Sequence, residues 1–120
     1  MNEQRRTDRV SLDCPIDQLV VCPPNVSGRC EELFVVARAL NVSAEGLAGE
    51  SRTAIDPLMR IYLIIQLPDG PRIQCDTYVA HSRMEGGLCR FGLHFVDLDA
   101  SLKTELVQYL KSKGSRVEQS

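Results

Sequence analysis

The stretch Ala39-Leu40-Asn41-Val42-Ser43-Ala44-Glu45-Gly46-Leu47 sets a polar turn into apolar sequence. Asn41 and Ser43 lie two residues apart, so on an extended backbone their side chains point the same way. Gly46 lets the chain take a backbone conformation that other residues resist. Asn, Ser and Gly are ordinary turn residues, and the stretch gains meaning from a second one, Arg5-Arg6-Thr7-Asp8-Arg9, near the N-terminus. Arginines on one side and an Asn/Ser pair on a turn make a clamp for an anionic, hydrogen-bonding ligand.

Around this turn the chain reads as short strands. Val10 to Cys22 is a first strand region with Ile16, Leu19, Val20 and Val21 as apolar members, and Pro15 confines it to an edge or a bend. Pro23 to Gly28 is a turn. Cys30 to Leu40, with the strand formers Leu33-Phe34-Val35-Val36, delivers the chain to Asn41. A short strand is expected within Leu47 to Ile55. Arg60 to Leu67 is the clearest strand, with Ile61, Leu63, Ile65 and Leu67 on one face and Tyr62 and Ile64 on the other. Pro68-Asp69-Gly70 turns the chain into Arg72 to Arg83, where Ile73, Cys75 and Val79 alternate with Gln74, Asp76 and Tyr78. Glu85-Gly86-Gly87 turns it again into Leu88 to Val96, with Phe91, Leu93 and Phe95 on one face. Short strands joined by turn signals predict a barrel or sandwich.

The period then changes. Leu102, Leu106, Tyr109 and Leu110 form one helical stripe. Asp99 or Ser101 can cap its start, and Lys111, Lys113 and Gly114 suit its end. The expected organisation is an N-terminal arginine arm over 1–9, a single β domain over 10–113, barrel or sandwich, with a helix over about 100–113, and a tail over 114–120.

Composition narrows the function. A chain of 120 residues fits one domain with a modest core. The net charge of −2 gives no broad attraction for a polyanion, so DNA and RNA are not expected partners. The clustered charge of Arg5, Arg6 and Arg9 suits a small anion. No apolar run approaches the roughly 18 residues of a membrane span, and no apolar segment follows the first charges. Membrane insertion and export are therefore not expected. The five cysteines, Cys14, Cys22, Cys30, Cys75 and Cys89, form no Cys-x-x-Cys pair. The simplest reading is reduced thiols in a cytoplasm, with no metal. His81 and His94 are each solitary and suggest no catalytic order, so no enzyme is expected. Tyr62, Tyr78, Phe91 and Phe95 read as core.

The two polar stretches resemble the signature of the PilZ domain family, which carries Arg-x-x-x-Arg near its start and Asp/Asn-x-Ser-x-x-Gly further on. Arg5 and Arg9 match the first motif, and Asn41, Ser43 and Gly46 the second. Phe91 to Asp99 is similar to the family's last strand and its exit. The resemblance runs from Arg5 to Leu110. It implies a mainly β fold: a six-stranded antiparallel barrel of Greek-key or split type with a C-terminal helix. It also implies a bacterial, cytoplasmic receptor for the second messenger cyclic di-GMP, a ligand rather than a cofactor.

On that resemblance Arg5 and Arg9 offer forks to guanine O6 and N7 or to phosphate. Arg6 adds a phosphate or stacking contact. Asn41 meets a guanine edge, Ser43 supplies a hydroxyl, and Gly46 sets backbone geometry. Gln4 falls where the family tunes ligand stoichiometry. The output expected is a change in the N-terminal arm that signals to an effector protein. Two alternatives stand beside it: a degenerate barrel acting as a protein–protein module, and a small redox or metal protein built on the cysteines.

Overall fold

The computed structural model of the chain describes residues 9–22, 33–57 and 59–118. One antiparallel sheet holds eight strands: β1 (Val10–Pro15), β2 (Gln18–Cys22), β3 (Leu33–Phe34), β4 (Ala37–Val42), β5 (Gly46–Ser51), β6 (Arg60–Gln66), β7 (Arg72–Glu85) and β8 (Leu88–Val96). The helix α1 (Ala100–Glu118) follows. Gln4, Arg5, Arg6, Cys30 and the Pro23–Gly28 turn lie outside the described residues.

The expected strand count was six, and the excess comes from two bends. Only Ile16 and Asp17 separate β1 from β2, and only Val35 and Val36 separate the two-residue β3 from β4. The two bent runs pair with each other. Val10 faces Val42 and Pro15 faces Arg38. Past the bend, Ile16 N–H donates to the Ala37 carbonyl at 3.0 Å and Val35 N–H to the Leu19 carbonyl at 2.9 Å. Val20 then faces Phe34. The bend sends the two halves to opposite ends of the sheet, where β4 pairs with β5 and β2 with β6. Between them β5, β8, β7 and β6 are neighbours in that order, so the curled sheet closes on itself through the bent pair. Pro15, which has no N–H to donate, is the last residue before one bend. At the other, Phe34 and Val36 are 66% and 90% exposed, which breaks the continuous apolar strand expected over Leu33–Val36.

Alternation places the core as the sequence predicts. Ile61, Leu63, Ile65, Leu67 and Ile73 are fully or almost fully buried, as are Leu19, Leu47 and Phe91. Thr77 is a buried polar residue, and its hydroxyl donates to the Ile61 carbonyl at 3.0 Å. That bond removes the penalty of hiding a hydroxyl. The β7–β8 hairpin turns on Gly86 and Gly87, with φ of 58° and 84°. A tight two-residue turn of this kind needs positive φ at both central residues, which glycine adopts at no steric cost.

Asp99 caps the helix, its Oδ2 accepting from the N–H groups of Ser101 and Leu102 at 3.2 and 3.4 Å. Leu106, Tyr109 and Leu110 face the core. The Tyr109 hydroxyl donates to the Pro68 carbonyl at 2.9 Å, tying the helix to the β6–β7 turn. The helix ends later than the expected Lys113 and runs through Gly114 to Glu118. An interior glycine costs only about 1 kcal/mol relative to alanine, too little by itself to stop a helix.

Candidate functional site

The Asn41–Gly46 turn joins β4 to β5. Ser43 N–H donates to the Gly46 carbonyl at 2.8 Å. The Ser43 hydroxyl oxygen accepts from the N–H groups of Glu45 and Gly46 at 3.2 and 3.3 Å. The turn is tied to β8 as well, since Phe95 N–H donates to the Glu45 carbonyl at 2.9 Å. Ser43 is only 2% exposed. Its hydroxyl is engaged by the turn itself, a local competition for backbone groups that Ser favours.

Asn41 is partly exposed whereas Ser43 is buried, since β4 ends at Val42 and Ser43 already belongs to the turn. Asn41 reaches the outer surface for a different reason. Counting by twos from buried Ala37 and Ala39 would aim it into the core. A bulge in the β4–β5 ladder lies between Ala39 and Asn41. It shifts the phase, leaving Asn41 partly exposed and Val42 fully buried.

Gly46 has a narrow physical requirement. A Cβ there would lie 2.1 Å from the Leu93 carbonyl oxygen. The residue is glycine because the β8 backbone passes so close. Positive φ is not the reason: among the described glycines only Gly86 and Gly87 have it.

Of the expected arginines, Arg9 is described and exposed. Its Nη1 donates to Asn41 Oδ1. Arg9, Ser43 and Gly46 also line one cleft, whose other walls include Glu45, His81 and His94. The cleft lies on the outer face of β5, β8 and β7. A cross-strand row reaches the cleft through Gly92 and His81: Asn41 opposes Ala48, Ala48 opposes Gly92, and Gly92 opposes His81. At roughly 4.8 Å per strand the row spans about 14 Å. Its middle is carved by residues with little or no side chain.

His81 reaches this face by a second bulge, between Val79 and His81 in the β7–β8 ladder. Without it the Ile73, Cys75, Thr77, Val79 alternation would turn His81 inward. The imidazole tip sits over Gly92, where a Cβ would lie 2.4 Å from Nε2. In the next outward row Gly46 opposes His94 and His94 opposes Tyr78. The Tyr78 and His94 rings stack, 5.0 Å apart and 23° from parallel. Tyr62 and Tyr78 are 36% and 49% exposed, which corrects their assignment to the core, while Phe91 and Phe95 are buried. Tyr78, His81 and His94 thus join the cleft or its rim without having been singled out as ligand residues. Tyr78 could have been found from the sequence, because it falls on the polar face of β7.

The described cysteines do not assemble. Cys14, Cys75 and Cys89 are free, and among the described residues no group of three or more His, Cys, Asp or Glu is placed to hold a metal. Burial pushes the Cys75 thiol up to about 11. Burial raises Cys14 too, with Asp17 and Asp13 adding to the effect. Both are thiols rather than nucleophilic thiolates at neutral pH. Among the described residues no helix is long and apolar enough to cross a membrane.

Comparison with known proteins adds to this geometry. The sequence profile of the PilZ domain matches residues 3–112. The structure of the Bacillus subtilis inhibitor of motility (MotI/DgrA) is similar, with a TM-score of 0.70 at 18% identity, over 96% of this chain and 53% of that one. Escherichia coli YcgR in complex with c-di-GMP gives a TM-score of 0.67 at 13% identity, over 97% of this chain and 48% of that one. The PilZ domain of Escherichia coli YcgR with c-di-GMP gives 0.56 at 14% identity, over 98% and 96%. The chain spans about half the length of the first two. At these identities the likeness is one of fold. No curated protein matches the sequence.

Proposed function

We propose, from the premise that this chain belongs to the PilZ domain family, that it is a non-catalytic receptor for cyclic di-GMP. The single observation that carries this reading is the contact of Arg9 with Asn41 at the mouth of the turn. It joins the two polar motifs, far apart in sequence, at one cleft. The reading is further supported by two similar structures that hold c-di-GMP.

In this proposal Arg9 gives its fork to a guanine edge or a phosphate, with Arg5 and Arg6 adding the same chemistry from the arm. Asn41 offers its amide to a guanine edge. Ser43 acts chiefly by shaping the turn, and Gly46 by admitting the β8 backbone. Ligand fixes the N-terminal arm against the turn. An effector protein that prefers this arrangement is then recruited or released.

The test is titration calorimetry of cyclic di-GMP into the pure protein, with Arg9→Ala alongside. Micromolar or tighter binding that is weakened at least tenfold in the variant supports the receptor reading. Absence of heat with the unaltered protein sinks it and favours a protein–protein module on the same barrel.

A further inference from the structure

The cleft has an aromatic wall that the arginine and turn motifs do not account for. His94 stands on β8 with Tyr78 stacked against it from β7, ring centroids 5.0 Å apart. On its other side the register partner of His94 is Gly46, which presents no side chain. The place of a Gly46 Cβ is taken by the Leu93 carbonyl oxygen, and the cleft that Gly46 and His94 both line lies beyond it. In the neighbouring row Ala48 is paired to Gly92, neither of which has a long side chain. His81 closes the far side with its imidazole tip over Gly92. The result is a slot with an imidazole backed by a phenol on one wall, and Arg9 within the same lining.

Size limits what the slot takes. Its free space is about 130 Å³. A pocket that encloses a whole ligand commonly measures about 300–1,000 Å³. A flat fragment fits this slot, and a complete dinucleotide would extend beyond it. We infer that His94 is a base-stacking residue of this site: one guanine lies on the imidazole face turned toward Gly46, Tyr78 holds that imidazole upright, and the phosphates extend toward Arg9. Stacking accepts any base, so His94 adds affinity, and the edge contacts at Arg9 and Asn41 add base identity.

This inference rests on the cyclic di-GMP reading, and its test separates the two. Cyclic di-GMP is titrated into the unaltered protein, His94→Ala, His94→Phe, Tyr78→Ala and Tyr62→Ala, with circular dichroism to verify folding. His94→Ala should weaken binding about 5- to 100-fold, the loss of one stacked base. His94→Phe, which keeps a ring, should bind nearly as the unaltered protein does. Tyr78→Ala should show a smaller loss. Tyr62→Ala, an exposed tyrosine on β6 bonded to Gln74, should show none. The chain has 2 histidines, so its imidazole proton signals are readily told apart. The His94 signal must shift when ligand is added, and this reading decides the matter if His94→Ala does not fold. Binding by the unaltered protein with an unmoved His94 signal, or with equal affinity in a folded His94→Ala, overturns the inference alone. No binding by the unaltered protein overturns both proposals.

Discussion

Arg9 donates a hydrogen bond from Nη1 to Oδ1 of Asn41, 32 residues further along the chain. The acceptor is a neutral amide, so the guanidinium is oriented there without being neutralised. Among the described residues no carboxylate forms an ion pair with Arg9, and a cation so positioned is well prepared to meet an anion. The arginine's position is set by the turn, and the turn's position is set by β8.

Replacement at either end of this contact should act differently. Arg9→Lys keeps the charge but loses the planar fork, and should weaken cyclic di-GMP about 5- to 150-fold, nearly as much as Arg9→Ala. Asn41→Asp makes the contact an ion pair at an exposed site. That pair contributes about 0–1 kcal/mol to stability, while guanine N–H donors gain a charged acceptor. Calorimetry should show tighter ligand binding by Asn41→Asp with little change in melting temperature.

Gly46→Ala should damage the fold before it damages any contact. The new methyl would meet the Leu93 carbonyl oxygen at 2.1 Å, so β5 and β8 must separate. Overpacking of this kind costs about 1–3 kcal/mol or more. The melting temperature should fall on the order of 5–15 °C. Gly87→Ala provides the contrast, with nothing near its Cβ and only its φ of +84° to strain. An unchanged melting temperature for Gly46→Ala would contradict the close approach.

Ser43→Ala removes the acceptor of the Glu45 and Gly46 N–H groups. Leaving buried donors unmet costs about 1–3 kcal/mol. Urea unfolding should show that loss. Ligand affinity should fall too if the turn shape matters more than the hydroxyl. Ser43→Cys, which offers a poor acceptor of similar size, should behave like alanine.

Alkaline pH should destabilise the fold. Cys75 titrates at about 11 in place of the ordinary 9.0, because burial disfavours the thiolate. Burial raises Tyr109 as well, with Cys14 and Asp69 adding, and its hydroxyl proton is used in the bond to Pro68. Between the unfolded and folded values the native state holds more protons than the unfolded chain, so stability falls as pH rises. For Cys75 this contribution is complete below pH 9.0 and is lost as the pH rises to about 11. Thermal melts followed by circular dichroism should show the midpoint dropping across that range. A midpoint that rises there would contradict the assignment.

Much of this molecule is legible in the sequence. The alternation of Ile61, Leu63, Ile65 and Leu67 sets the buried face of β6, because side chains on a pleated strand alternate whatever lies beside it. Gly86 and Gly87 mark a hairpin by their conformational freedom alone, and Asp99 marks a helix start by its short acceptor side chain. Arg9, Asn41 and Gly46 were legible as a motif. The directions of the side chains that build the cleft were not. Asn41 and His81, at the two ends of one cross-strand row, both face outward because a bulge precedes each. A bulge is a property of two paired strands, and neither strand encodes it alone. The same holds for the splitting of the first two runs at Ile16–Asp17 and Val35–Val36, where each half finds a different neighbour in the closed sheet. The local pattern thus determined the strands, the turns and the helix. Pairing between distant strands decided which residues share a face, and so which of them can touch one ligand.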